Sequence, residues 1–386
     1  MLGFRPNVNE DISPTSSIED ISQLLYAAQG ITHFPFRSVP SAGGTYPLDV
    51  YVLANVESQI GISGINHYEP FDHTITRYSS VEYSKLNVTL NNSLENVEVN
   101  STLFAFIITA EFSRTTTKYG NRGITYVELE IGHLIQNVRI QARTMKYNIT
   151  EVYDFDQDIM KETFNLEFEP MALLFFKRYE NTDLLFNKIN SYNSNSLDIL
   201  QKGVSVEEAI YNRKSIRDYS DKPMPKSKLT TLIEYSFYRK DPFSSNLVFP
   251  SIPRNMPVES ILSVTNVNGL NEGLYNFNYQ SRKYDLISND SRRNEIYEQG
   301  LEQQWILDSQ VVLIFMINQT RLQESPYNPN IYSKLGNFEL GTIAQNIYLE
   351  AYSLNLGVVV VGAFSDNGIR NAVLTTQEML PLYIIP

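Results

Sequence analysis

The feature that most constrains the fold of this chain is a long internal repeat. The segment ELEIGHLIQNVRIQARTMKY, which begins at Glu128, aligns with FELGTIAQNIYLEAYSLNLG, which begins at Phe338. The alignment pairs identical residues at a constant separation: Glu130 with Glu339, Gly132 with Gly341, Gln136 with Gln345, Asn137 with Asn346 and Ala142 with Ala351. A repeat of this spacing is too long for a solenoid and indicates a duplicated domain.

Other segments repeat at nearly the same separation. GINHYEP at Gly64 aligns with GLYNFNY at Gly273, and ISQLLYAA at Ile21 aligns with LTTLIEYS at Leu229. The chain of 386 residues is therefore predicted to hold two tandem domains, residues 1–190 and 191–386. The join is placed at the Asn- and Ser-rich segment 191–198, where apolar residues are scarce.

Each half mixes helix and strand patterns. Apolar residues recur at helical spacing from Ile131 to Met145, and the stripe repeats from Ile343 to Leu354. The runs LFAFIITAEF, VYVLANV, ILSVTNV and VVLIFMI read as buried strands. Because neither GxGxxG nor GxxxxGK[ST] follows a strand, a dinucleotide-binding Rossmann domain or a P-loop is disfavoured. The predicted class is α+β, with mixed sheets flanked by helices.

Composition excludes several classes of function. A formal net charge of −12 opposes binding to nucleic acid or to anionic lipid. Cysteine is absent and only four histidines occur, without HExxH, so no metal site is predicted. No apolar stretch approaches eighteen residues and no signal peptide is evident, so no membrane span is predicted and the cytoplasm is the expected location.

A basic motif opens the second half. A capping box of Ser205 and Glu208 predicts a helix from Val206 to Arg213, and the helix leads into Arg213, Lys214, Ser215, Ile216 and Arg217. Two guanidinium groups and a hydroxyl can converge on a phosphate dianion, although the same residues also suit a solvated basic turn. The matching first-half segment, residues 5–9, keeps only one arginine.

Bare backbone marks one segment in each half. In the first half, Pro40, Ser41, Ala42, Gly43 and Gly44 precede a strand, and Arg254 and Asn255 are expected to replace the glycines in the second half. Near the C-terminus, GVVVVGAF is expected to leave a buried strand through Val361, Gly362 and Ala363, where the first half has Tyr153 and Asp154. Such segments let backbone approach a flat ligand, or they are ordinary turns.

A neighbouring amine and phenol stand ahead of the long first-half helix. They are Lys118 and Tyr119, and the second half has Tyr327 and Asn328 in their place. Both side chains can exchange protons with a substrate once their surroundings tune them, and both can equally be a surface lysine and a packed tyrosine.

Together these motifs resemble the FMN-dependent nitroreductase superfamily, and within it the SagB-type dehydrogenases, in two tandem copies. The resemblance implies that RxSxR, here Arg213, Ser215 and Arg217, grips the FMN phosphate and ribityl chain, with Lys214 beside them. It also implies that Pro40–Gly44 and Val361–Ala363 approach the flavin. Azoline oxidases of this group carry a Lys-Tyr pair followed by Gly-x-Arg-Gly, which matches residues 118–123.

The resemblance also implies how the two halves divide the work. Members of the family are typically dimers whose flavin sites draw on both subunits, so the halves are expected to form an intrachain pseudo-dimer with one surviving FMN site. The expected reaction is dehydrogenation of a thiazoline, an oxazoline or a related heterocycle. One of Lys118 and Tyr119 would take the proton, and the other would lower the pKa of that acceptor. O₂ would then reoxidise the flavin. The substrate is a small molecule or a peptide, which a cyclodehydratase-type partner would present. An NAD(P)H-dependent nitro- or quinone reductase and a degenerate flavin-binding scaffold are the alternatives.

Overall fold

The computed structural model describes residues 16–55, 60–90, 97–178, 203–238, 251–278 and 281–386. These residues form two compact units, of which the first ends at Tyr211 and the second runs from Asn212 to Pro386. The predicted boundary after residue 190 lies outside the described residues, as does the first-half segment 5–9.

The first unit combines helices with strands. Its elements are α1 (Ile18–Gln29), β1 (Ile31–His33), β2 (Phe36–Arg37), β3 (Leu48–Ala54), β4 (Ile65–Glu69), β5 (Thr74–Ser79), α2 (Leu86–Thr89), β6 (Phe104–Ala110), α3 (Ser113–Tyr119), α4 (Arg122–Thr144), β7 (Tyr147–Val152), α5 (Gln157–Phe164) and β8 (Glu169–Arg178). The described strands form a sheet in the order β5-β4-β3-β6-β8-β7, beside the small β1-β2 hairpin.

The long helix α4 is the centre of the first unit. The predicted stripe is confirmed, because Ile131, Leu134, Ile135 and Val138 are all fully buried. On the sheet, β6 is buried along its whole length, as expected for a central strand that is covered on both faces. The long helix and the central strand therefore form the core of the first unit.

A connecting helix follows at the division between the units. Helix α6 (Val206–Asn212) begins where the capping box predicts, since the amide of Glu208 donates to Ser205 Oγ at 3.1 Å. The repeat assigns this helix to the second half, whereas all but its last residue belongs to the first unit. Its Glu207 accepts a hydrogen bond from Gln141 of α4 at 2.9 Å, which ties it there.

The second unit repeats most of the strand order of the first unit. Its elements are β9 (Met224–Pro225), α7 (Lys226–Ile233), β10 (Val258–Val264), β11 (Val267–Asn268), β12 (Gly273–Asn278), β13 (Lys283–Ser288), α8 (Arg293–Gln299), α9 (Trp305–Asp308), β14 (Val311–Asn318), α10 (Gln319–Gln323), α11 (Tyr332–Ser353), α12 (Asp366–Ala372) and β15 (Met379–Ile385). The sheet order β13-β12-β10-β14-β15 matches five strands of the first sheet, with β10 in the place of β3 and β14 in the place of β6.

The α+β class and the tandem domains are confirmed. Neighbouring strands in both large sheets run antiparallel, and a parallel pairing occurs between β9 and β11. One strand prediction is wrong: residues 357–360 make no ladder, and this segment joins the sheet only through a bridge between Val361 and Ile384. No helix among the described residues is long and apolar enough to cross a membrane.

Candidate functional site

The site in the first unit is built on a tight turn. Residues Ala42–Gly44 form one turn of 3₁₀ helix in which Gly43 and Gly44 have φ angles of 61° and 66°. These angles lie in the left-handed region, which costs about 1–2 kcal/mol for a residue with a Cβ atom. This backbone therefore favours glycine at both positions, and both glycines remain exposed.

Lys118 and Tyr119 lie against this turn. They are the last residues of α3, and Thr45 Oγ1 and Thr115 Oγ1, 2.8 Å apart, join the turn to that helix. A Cβ atom on Gly43 would collide with Lys118 Nζ and Tyr119 Oη. The structure thus brings together two motifs that are far apart in sequence, and the missing side chain of Gly43 leaves the space that the amine and the phenol occupy.

The amine and the phenol are held differently. The ring of Tyr119 packs edge-on against Tyr126 of α4 with 5.2 Å between centroids, and Tyr126 Oη accepts a hydrogen bond from Arg122 Nε at 3.1 Å. Lys118 is exposed, and its Nζ lies 5.2 Å from the centre of the Tyr119 ring. A fixed phenol beside a cationic amine can donate or accept a proton at the surface of the turn.

A buried carboxyl that the sequence analysis did not single out lies near the same turn. Glu130 of α4 is 3% exposed. Burial raises the pKa of its carboxyl to about 8, and polar contacts with Ser41 and Gln29 and the positive charge of Arg37 only partly offset this effect. The signal available in the sequence was an acidic residue beside the apolar stripe of α4, repeated as Glu339 in the second half.

This raised pKa predicts a pH-dependent stability. Between the ordinary glutamate pKa and about 8, the folded chain holds a proton that the unfolded chain releases, so the free energy of unfolding falls as the pH rises. Glu130→Gln removes this titration. From about pH 6 to about pH 8.5, the variant should gain on the order of 2–3 kcal/mol relative to the unmodified protein. Urea unfolding at both pH values measures the gain, and a constant difference between the two proteins would contradict it.

The second unit brings the two remaining motifs together. Arg213, Ser215 and Arg217 lie on an irregular segment directly after α6. This segment runs beside residues 358–361, because the amide of Ile216 donates to the carbonyl of Val358 at 3.0 Å. RxSxR and VGAF, separated by well over a hundred residues in sequence, are therefore neighbours in the fold.

Tyr348 of α11 links these two segments, and sequence reasoning missed it. Its hydroxyl lies 2.9 Å from Ser215 Oγ and accepts a hydrogen bond from the amide of Val360 at 3.1 Å. Its ring lies 5.2 Å from the guanidinium carbon of Arg213. A tyrosine on the buried face of a helix gives no sequence signal of its own, because the same pattern is typical of core packing.

The predicted site residues of the second unit differ in exposure. Arg213 is buried, Lys214 and Arg217 are exposed, and the guanidinium of Arg217 lies 5.2 Å from the ring centre of Trp305. Val361 is buried, whereas Gly362 and Ala363 are half-buried, and Gln303 Nε2 donates to the Ala363 carbonyl at 3.1 Å. Guanidinium and hydroxyl donors of this kind fit a phosphate group, and small residues leave room for a flat ring.

The second unit also has a turn equivalent to Ala42–Gly44, which corrects the expected pairing of residues. Tyr46 N donates to Ser41 Oγ and Met256 N donates to Ser251 Oγ, both at 2.9 Å. This geometry pairs Gly44 with Arg254, and both have a φ of 66°. Gly43 then pairs with Pro253 rather than with Arg254. Proline is confined to φ near −65°, so the second turn cannot reproduce the backbone at Gly43.

Comparison with known proteins identifies the family. Residues 14–176 and 210–384 both match the model of the nitroreductase family. These two segments cover most of the chain, so it belongs to the nitroreductase family. Among the described residues no cluster of three His, Cys, Asp or Glu side chains could hold a metal ion.

Two curated relatives each match a segment that is a little under half the length of this chain. MJ1384 of Methanocaldococcus jannaschii, named as a nitroreductase, is 33% identical over 172 residues, which are 44% of this chain and 85% of the relative. The trifolitoxin-processing protein TfxB of Rhizobium leguminosarum bv. trifolii is 24% identical over 153 residues, which are 38% of this chain and 40% of that protein.

A solved structure matches across both halves. The crystal structure of a nitroreductase-type protein from Anabaena variabilis superposes with a TM-score of 0.75 at 19% identity. The match covers 100% of this chain and 90% of that chain. Both halves therefore have the nitroreductase fold, which is a fold of flavin-type oxidoreductases.

Proposed function

We propose that the chain is an FMN-dependent dehydrogenase that oxidises a thiazoline or oxazoline ring within a modified peptide. The observation that carries this proposal is the placement of Lys118 Nζ and Tyr119 Oη over the bare backbone of Gly43. A reductase that only passes electrons from a nicotinamide to an acceptor has no need for a paired amine and phenol at this point. A dehydrogenase that must remove a proton from carbon does need them.

The residues present fit FMN. Arg213, Ser215 and Arg217 provide the forked and hydroxyl donors that a phosphate requires, while Val361–Ala363 in the second half and Pro40–Gly44 in the first provide small residues for the ring system. Because each half keeps motifs that the other has lost, we propose a single FMN per chain. Lys214, which is exposed, would contribute charge only.

The proposed reaction removes two hydrogen atoms from the azoline. Bound FMN supplies an acceptor for the hydride that leaves one ring carbon. The proton from the neighbouring carbon passes to Tyr119 Oη in its phenolate form or to Lys118 Nζ in its neutral form, and the new double bond completes the aromatic azole. Tyr126 fixes the phenol ring, and the turn at Gly43 positions both groups, so the chain provides orientation and a proton acceptor. O₂ is the co-reactant that takes the electrons from the reduced flavin.

The peptide nature of the substrate is supported by one relative. TfxB is named for the processing of trifolitoxin, and it shares 24% identity with part of this chain. We propose that a cyclodehydratase-type partner protein, which forms azolines, supplies the substrate.

The second candidate is an NAD(P)H-dependent nitro- or quinone reductase. It is favoured by the 33% identity with MJ1384, a relative that is named as a nitroreductase. In that case Lys118 and Tyr119 take no part in the chemistry, and NAD(P)H rather than an azoline reduces the flavin.

One experiment separates these candidates. Purified protein is loaded with FMN, made anaerobic, and mixed either with a synthetic thiazoline-containing peptide or with NADPH. The proposal expects the flavin absorbance to fade with the thiazoline peptide, with loss of two hydrogen atoms from the peptide by mass spectrometry. Flavin absorbance that fades with NADPH but not with the thiazoline peptide supports the reductase. Protein that takes up no flavin contradicts both candidate functions.

Gly43→Ala tests the space beneath the amine and the phenol. The new methyl group would push Lys118 Nζ and Tyr119 Oη out of place, and a displacement of ~1 Å costs on the order of 100-fold in rate. We expect such a loss in thiazoline turnover. Gly61→Ala is the matched control, because Gly61 also has a positive φ, of 85°, but its Cβ position is open. Both variants should lose similar stability, and undiminished turnover in Gly43→Ala would contradict this role for the turn.

A further inference from the structure

The buried carboxyl of Glu130 is not used by the proposed mechanism, although it lies close to the turn. Its Oε1 atom has no hydrogen-bond partner among the described residues. Three elements bring polar groups to it: α1 contributes Gln29, β2 contributes Arg37, and the turn contributes Ser41. Arg37 itself donates to Gln29 Oε1 at 2.7 Å, so these groups form one connected cluster.

Ser41 connects this cluster to the turn. Its Oγ accepts a hydrogen bond from the amide of Tyr46 at 2.9 Å, and its carbonyl accepts one from the amide of Gly44 at 3.1 Å. Ser41 is therefore bonded to the backbone amides of two residues that follow it, Gly44 and Tyr46. A group that fixes the hydroxyl of Ser41 also fixes the position of Gly43.

The second unit contains the same arrangement with the contact fully formed. Ser251 Oγ donates to Glu339 Oε2 at 2.7 Å and accepts from the amide of Met256. The carbonyl of Ser251 accepts from the amide of Arg254 at 3.0 Å. In both units the serine hydroxyl accepts from the amide five residues later, and in the second unit a buried glutamate accepts from that hydroxyl.

A second support of the turn is also shared. Arg114 donates to the carbonyl of Tyr46 at 3.1 Å, and Arg321 donates to the carbonyl of Met256 at 2.8 Å. Both units therefore keep the serine and arginine hydrogen bonds to the turn, whereas Lys118 and Tyr119 of the first half are Tyr327 and Asn328 in the second. Glu339 therefore provides an internal control for Glu130, because it is also buried and lies on an equivalent helix.

We propose that Glu130 is a positioning residue that acts through Ser41 to hold the Ala42–Gly44 turn against Lys118 and Tyr119. The inference rests on the proposed function for its consequence, because the turn so held is part of the FMN site. Glutamine can still accept the hydrogen bond from Ser41, whereas alanine leaves the serine hydroxyl without this support.

The test begins with the protein free of flavin. Amide hydrogen exchange is followed by mass spectrometry in peptides that cover Ser41–Pro47 and Ser251–Pro257, for Glu130→Ala and for Glu339→Ala. We expect at least tenfold faster exchange only in the first peptide for Glu130→Ala and only in the second for Glu339→Ala. Glu130→Gln should restore slow exchange. Unchanged exchange in Ser41–Pro47, or equal changes in both peptides, would overturn the inference.

The second measurement is the affinity for FMN, from quenching of flavin fluorescence. Glu130→Ala should weaken binding at least tenfold and Glu130→Gln should restore it, whereas Glu339→Ala should leave it unchanged. Adding Ser41→Ala to Glu130→Ala should weaken binding no further, because the two residues act as a unit. If the unmodified protein binds no FMN, the proposed function fails, and the exchange measurement still decides the role of Glu130.

Discussion

Lys118→Ala is expected to reduce the turnover of a thiazoline peptide by ~10²–10⁴-fold while FMN remains bound. The expected loss is that of a group that transfers a proton in the transition state. Tyr119→Phe should cause a loss of the same order, because the hydroxyl near Gly43 disappears while the ring keeps its packing against Tyr126. Single-turnover fading of the flavin measures the chemical step in each variant, and the visible spectrum reports how much flavin is bound.

Two controls give these losses their meaning. Lys161→Ala removes a partly exposed lysine of the same half, which pairs with Glu169 at 2.5 Å, and should leave turnover unchanged. Added methylamine should restore part of the activity of Lys118→Ala if the amine acts as an acid or base. Full turnover in both Lys118→Ala and Tyr119→Phe, with flavin bound, would remove the assignment.

The second large effect is expected at the phosphate site of the second half. Arg213→Lys and Arg217→Lys keep the positive charge but lose the forked geometry that a phosphate accepts. A hydrogen bond to a charged group contributes about 1.5–3 kcal/mol, so each change should weaken FMN binding about 10–100-fold, and the double change ~10²–10⁴-fold. Equilibrium titration of flavin fluorescence measures the dissociation constant.

An arginine of the same half provides the control. Arg282 is exposed and pairs with Glu234 at 2.9 Å, so Arg282→Lys should bind FMN as the unmodified protein does. Riboflavin, which lacks the phosphate, should lose less affinity than FMN in the double variant. FMN affinity that is unchanged in the double variant would show that these arginines belong to a solvated basic turn.

Much of the fold could be predicted because the same pattern of apolar residues occurs in both halves of the sequence. The stripes of α4 and α11 and the apolar runs of β6 and β14 are long and strongly periodic. The segment 357–360 was mistaken for a strand, because an apolar β-branched run indicates burial and not hydrogen bonding to a neighbour. Only the bridge at Val361 joins it to the sheet.

The site could be predicted in part, for an equally physical reason. Glycines, paired arginines and an adjacent Lys-Tyr are conspicuous in sequence, and the structure places each set beside another motif of its own unit. Glu130 and Tyr348 lie on buried helix faces, where a polar residue has no distinguishing spacing. The pairing of Gly43 with Pro253 depended on a hydrogen bond from a backbone amide to a serine hydroxyl, which a sequence alignment does not contain.

The number of FMN molecules per chain tests the central claim most directly. It is obtained from the visible spectrum of the reconstituted protein, for the unmodified chain, for Arg213→Lys with Arg217→Lys in the second half, and for Gly44→Val in the first. If one FMN needs both sets of motifs, we expect one FMN per unmodified chain and near-complete loss in either variant. Two FMN per chain, or full occupancy after the first-half change, would contradict it.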